Sequence, residues 1–166
     1  MPRIKKSTSK RTSSKPSISK TKTTKANGNH AAGLYTAPRG DVSIAVPPFW
    51  TLRQTNDDLE VESPTESTSV IVTAFKGENG NKRLNAREYL QHFLETAQTS
   101  GKPKLNGSTS TKATARFRDP DGDNWKVLFL SNGKTLLLAT CNSSLPPAGK
   151  EAKLGLKVLE SLKLKR

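Results

Sequence analysis

The stretch RFRDPDGDNWKVLFL, residues 116–130, reads either as a metal-binding loop or as a tight turn between two strands. Asp119, Asp121 and Asp123 alternate as they do at the start of a helix–loop–helix calcium loop. That loop also needs Gly at its sixth position and a bidentate Glu at its twelfth. Counted from Asp119, those positions are Asn124 and Leu130. Pro120-Asp121-Gly122 is turn chemistry instead, with a glycine free to take positive φ. A loop over 119–123 sets Arg118 opposite Asn124, Phe117 opposite Trp125, Ala115 opposite Val127 and Ala113 opposite Phe129. This register gives one consistent apolar face with an aromatic pair on it, so the stretch reads as a β-hairpin. The other face of the same register sets Arg116 against Lys126, with Arg118 and Lys112 nearby. Like charges directly opposed are unfavourable. They are either a solvated edge relieved by acids from elsewhere in the fold or an anion-binding patch.

The neighbouring segments extend the sheet. KTLLLATCN (134–142) follows the hairpin as a further strand, and TSVIVTAF (68–75), DLEVES (58–63) and VSIAV (42–46) precede it. Residues 70–75 and 136–141 are apolar at nearly every position, which predicts strands buried on both faces. Two segments have helical spacing. Ala86, Tyr89, Leu90, Phe93, Leu94 and Ala97 recur on one face, with Asn85 as a cap and Glu88 three residues on. In the second, 150–162, the stripe is Ala152, Leu156, Leu159 and Leu162. No βαβ rhythm runs through the chain. The expected fold is an α/β/α sandwich: a largely antiparallel sheet with one helix on each face.

Composition divides the chain in two. Residues 1–40 hold ten basic residues and no acid, whereas residues 41–166 hold eighteen basic and fourteen acidic. Most of the net charge of +14 therefore belongs to the first segment. Ile4 and Ile18 are the only large apolar side chains besides Met1 in the Lys/Ser/Thr-rich run 1–30. Such a run buries too little to offset the entropy of ordering, so residues 1–40 read as a disordered basic arm and 41–166 as the folded domain. Lys5, Lys6, Lys10, Arg11, Lys15, Lys20, Lys22 and Lys25 of the arm are candidate phosphate contacts, joined by Lys112, Arg116, Arg118 and Lys126 of the domain. Contacts of this kind are nonspecific and salt-sensitive, and an anionic lipid surface would serve as well as nucleic acid. An organelle address and a solubilising tail are the other readings of the arm.

Catalytic groups are few. His30 lies in the arm, and His92 falls on the polar side of the first helix. The single cysteine, Cys141, ends an apolar strand and reads as a buried inert thiol. Asp57 and Asp58 read as turn carboxylates, and GENGNK (77–82) lacks phosphate-loop spacing. The expectation is a protein that is not an enzyme and that holds no metal or cofactor. No apolar run reaches the roughly 18 residues of a membrane helix, and no apolar signal core follows the basic start. With one cysteine and no disulfide, the expected location is cytoplasmic. Phe49-Trp50, after Pro47-Pro48, either seal one end of the core or form an aromatic anchor for a partner.

Five stretches carry a resemblance. They are VSIAVPPFW (42–50), STSVIVTAF (67–75), AREYLQHFLETA (86–97), DGDNWKVLFLSNGKTLLLATCN (121–142) and VLESLKL (158–164). In order and character the chain resembles the PsbP-like superfamily over residues 41–164, in particular its small bacterial members. That superfamily includes the photosystem II extrinsic protein and the nuclear-import factor that releases nucleotide from Ran. The resemblance implies an α/β/α sandwich that binds proteins or acts as an accessory factor or chaperone, without shared catalysis. The chain departs from the lumenal and exported members in lacking an apolar signal or a lipidation cysteine. It also has no match to an acidic Ran-binding surface. Function is thus expected to be protein binding by the folded domain, with nonspecific nucleic-acid association through the arm as the alternative.

Overall fold

The computed structural model describes residues 22–25, 31–37, 40–55, 58–77 and 83–165. Its strands are β1 Lys22–Lys25, β2 Ala31–Ala37, β3 Gly40–Val46, β4 Thr51–Gln54, β5 Asp58–Glu62, β6 Thr68–Lys76, β7 Lys104–Ser108, β8 Lys112–Arg118, β9 Asn124–Ser131, β10 Thr135–Ser143 and β11 Lys163–Leu164. Its helices are α1 Ala86–Thr96 and α2 Lys150–Ser161. The fold is mixed α and β, with one large antiparallel sheet in the order β1-β4-β5-β6-β10-β9-β8-β7. A smaller sheet has the order β11-β3-β2. β1 and β2 fall inside the 1–40 segment that composition assigned to the arm, and the rest of that segment lies outside the described residues apart from Gly40.

The hairpin forms in the expected register. Arg118 pairs with Asn124, Phe117 with Trp125, Ala115 with Val127 and Ala113 with Phe129. Phe117 and Trp125 stack with ring centroids 6.0 Å apart and planes 2° from parallel. The Asp119 side chain ties the turn together. Asp119 accepts from the Asp123 backbone N–H at 2.9 Å and from Trp125 Nε1 at 2.8 Å. Gly122 takes φ 92°. The Trp125 bond, first among several donors, holds the Asp119 carboxyl below its usual range.

Successive residues of a strand point to opposite faces, and two clusters follow from that alternation. Leu137, Ala139 and Cys141 of β10 join Val70, Val72 and Ala74 of β6, Leu59 and Val61 of β5, and Val158 and Leu159 of α2. Val42, Ile44 and Val46 of β3 close the same cluster. Leu136 of β10 joins Val127 and Phe129 of β9, Ala113 and Ala115 of β8, and Ala86 and Leu90 of α1. Phe93 of α1 meets Phe129 edge-on at 6.1 Å.

Several expectations need correction. β6 is buried on one face only: Ile71 is 38% exposed and Phe75 37%. The cause is placement, because α1 packs over β8 and β9, and its 11 residues extend only about 16 Å. The connection after α1 contains a strand, β7, and the strand at 42–46 belongs to the smaller sheet. On α2 the buried face is Ala152, Gly155, Val158 and Leu159, so Leu156 stands at its margin. At the start of α1, Asn85 accepts from the Arg87 N–H at 3.0 Å, but Glu88 reaches the Asn85 side-chain amide rather than its backbone.

Candidate functional site

The large sheet runs beyond α2 towards its β7 edge, and a cleft of about 470 Å³ opens there. The register builds it. Lys104 of β7 pairs with Arg116 of β8, Arg116 with Lys126 of β9, and Lys126 with Cys141 of β10. All four lie in one row across the sheet, on the face that carries the α2 cluster. The adjacent row is Arg118, Asn124 and Ser143. Ala152 and Leu156 of α2, with Pro147 before it, form an apolar wall opposite the cations. Lys102 completes the rim.

Five cations line the cleft and no acid does. Lys126 is the buried member, its side chain only 10% exposed, and its Nζ lies 2.6 Å from Glu160 Oε1. That hydrogen bond, the first cause, holds the Glu160 carboxyl below its usual range, and Arg116 and Lys112 add to it through space. The like-charge opposition read from the hairpin is thus real and is relieved at Lys126 by the closing helix. Arg118 donates from Nε to Asn124 Oδ1 at 3.1 Å. Lys102, Lys104 and Arg116 have no acidic partner within 4.0 Å among the described residues. Cations gathered against low-dielectric walls focus a positive potential, which attracts and orients an anion.

Of the sequence candidates, Arg116, Arg118 and Lys126 meet in this cleft. Lys112 shares their strand face but lies outside the lining. Lys22 and Lys25 belong to β1 at the far edge of the sheet, so they are not part of the cleft. Lys5, Lys6, Lys10, Arg11, Lys15 and Lys20 lie outside the described residues. Lys102 and Lys104 were missed because TSGKPKLNG (99–107) carries no strand alternation. The nearest signal was the Lys-Pro-Lys run itself.

Phe49 and Trp50 part company. Trp50 is 2% exposed and sits in the α2 cluster, so it seals the core. Phe49 is 76% exposed and holds φ 67°. Trp50 N–H donates to the Pro47 carbonyl at 3.3 Å, so Phe49 is the third residue of a turn, where a left-handed conformation ordinarily requires glycine.

Cys141 lies on the cleft floor, and burial pushes its thiol up to about 11, with Lys126 opposing. A thiol at that value is a poor nucleophile. His92 pairs with Glu95 at 3.4 Å on exposed helix surface. Among the described residues no group of three or more His, Cys, Asp or Glu is placed to hold a metal ion. Among them, too, no helix is long and apolar enough to cross a membrane.

No family model matches the chain, and no curated protein matches its sequence.

Proposed function

We propose that the chain is a non-enzymatic accessory or protein-binding domain that captures an anionic segment of a protein partner in the cleft between α2 and β7–β9. We also propose that it has the three-layer α/β/α build of the PsbP-like superfamily. The separation of the α1 and α2 clusters by strand parity supports that build. The observation that carries the functional reading is the row Lys104–Arg116–Lys126 facing an apolar wall of Pro147, Ala152 and Leu156. A peptide with alternating acidic and apolar side chains satisfies both walls at once. Bare phosphate backbone would leave the apolar wall unused. A reducing, cytoplasmic location agrees with a lone thiol that is buried.

Fluorescence anisotropy of a labelled peptide of alternating Glu and Leu tests this on the full chain. Arg116→Glu with Arg118→Glu should weaken binding at least about tenfold, or about 1.4 kcal/mol. Unchanged affinity in that variant overturns the reading. A second reading rests on the ten cations and no acid of residues 1–40. It places affinity in nonspecific phosphate contacts by the arm. Duplex DNA would then bind with a log–log salt slope near about −5 for about six contacts, lost on removing residues 1–21, which precede β1, and indifferent to the cleft variant.

A further inference from the structure

Strand parity also exposes a second, opposite surface. On β5 the side chains alternate between the buried Leu59 and Val61 and the half-exposed Asp58, Glu60 and Glu62. Register carries the latter set across to β6: Asp58 pairs with Thr73, Glu60 with Ile71 and Glu62 with Ser69. Phe75 continues that face of β6. Arg53 of β4 bridges Glu60 at 3.6 Å and Glu62 at 2.9 Å. The face thus sets three acids against one cation beside two exposed apolar side chains, Ile71 and Phe75, in a molecule whose charge is otherwise positive.

What can cover it is set by where the chain leaves the sheet. β1 lies at the sheet edge next to β4, and Lys22 stands in one row with Gln54, Leu59 and Val72. The next pair outward on β5 and β6 is Asp58 and Thr73. Residues 1–21 precede Lys22, with seven basic residues, no acid, and Ile4 and Ile18 as the large apolar side chains after Met1. From β1 to β6 is three strand spacings, about 14 Å. The four residues from Lys22 back to Ile18 span about 13 Å when extended. With the length of its own side chain added, Ile18 is the first apolar residue within reach of Ile71, and Lys20 is within reach of the acids of β5.

From charge and reach together, we infer that segment 1–21 docks on its own domain, with Ile18 against Ile71 and Phe75 and Lys20 beside Asp58 and Glu60. The inference is independent of the cleft, which lies on the opposite face of the sheet. Its consequence is that the arm is held by the folded domain until a stronger anion competes for its lysines.

The test is zero-length carbodiimide cross-linking of the full chain, read by mass spectrometry. Mixed isotope-labelled and unlabelled chains separate links within one chain from links between two. The expected result is same-chain links from Lys15 or Lys20 concentrated on Asp58, Glu60 and Glu62. Their yield should fall about fivefold from low to molar salt, as the screening length contracts from about 30 Å to about 3 Å. Ile18→Ser should lower it by a similar factor. Links spread evenly over all the acids would overturn the inference. So would links only between differently labelled chains, which would make a second copy the occupant. Insensitivity to Ile18→Ser would remove the apolar half of the docking and count against it equally.

Discussion

Gly155 offers the sharpest check on how α2 is seated. It lies inside a 12-residue helix, where glycine costs about 1 kcal/mol relative to alanine. Propensity alone therefore predicts that Gly155→Ala stabilises. The structure predicts the reverse. A Cβ at this position would stand 2.6 Å from Thr68 Cγ2 and 3.0 Å from Cys141 Sγ. Carbon atoms in contact prefer about 3.5–4.0 Å. Thr68 cannot turn away freely, because it is 1% exposed and its hydroxyl shares a 2.8 Å hydrogen bond with that of Ser143. Overpacking of a filled core costs about 1–3 kcal/mol, which outweighs the helical gain in most of that range. Set against the helical gain of about 1 kcal/mol, the middle of that range leaves a net loss of about 1 kcal/mol. In urea this lowers the unfolding midpoint by about 0.3–1 M, at an m-value of about 1–3 kcal/mol/M. Thr68→Ser removes the clashing methyl and keeps the hydroxyl. The double variant should therefore recover about 1 kcal/mol relative to additivity. An alanine variant as stable as the parent chain would refute the close seating of α2 on β6 and β10. It would also unseat the cleft, since Ala152 and Leu156 form its apolar wall and Glu160 is carried by the same helix.

Three further outcomes follow from named atoms. Thr114 Oγ1 is buried without a hydrogen-bond partner among the described residues, so Thr114→Val should raise stability by about 1 kcal/mol in the same urea assay. Phe49→Gly should relieve a left-handed strain of about 1–2 kcal/mol, offset in part by about 0.5–1 kcal/mol of glycine entropy, and raise Tm by a few degrees. Asp119, Glu151 and Glu160 are held below their ordinary values of 3.8, 4.5 and 4.5 by Trp125, Thr65 and Lys126 respectively. A depressed carboxyl contributes stability above its unfolded pKa and loses it as pH falls through the folded one. Stability should accordingly decline below about pH 4.5, and Lys126→Met should make that decline shallower in acid titrations followed by circular dichroism.

The hairpin register was legible because two independent patterns agreed: the turn chemistry at Pro120–Gly122 and an unbroken apolar face on both arms. β6 was misread for the converse reason. Ile71 and Phe75 are as apolar as Val70 and Val72, and nothing local records that α1 lies over β8 and β9 instead. Whether a strand has a layer on its second face depends on where a helix elsewhere ends. Gly155 was passed over on the helix because an apolar stripe counts side chains, whereas its contribution is the lack of one. β4 and β11 are too short, at 4 and 2 residues, to show a period at all.

The cleft was half legible. Arg116, Arg118 and Lys126 came from cross-strand arithmetic, which needs only the hairpin. Lys104 is brought to them by β7, whose register slips between Leu105 and Ser108, and such a bulge hides alternation in a sequence. Glu160 was the harder half. It is 34 residues from Lys126, and only the seating of α2 brings the two together. That seating pairs the one cation of the row that is out of solvent, while Lys104 and Arg116 keep no acidic partner within 4.0 Å among the described residues. A fold that needed only to quiet repulsion between β8 and β9 would gain more by neutralising Arg116 as well. Pairing the buried lysine offsets its desolvation cost, while Lys104 and Arg116 stay exposed to a ligand.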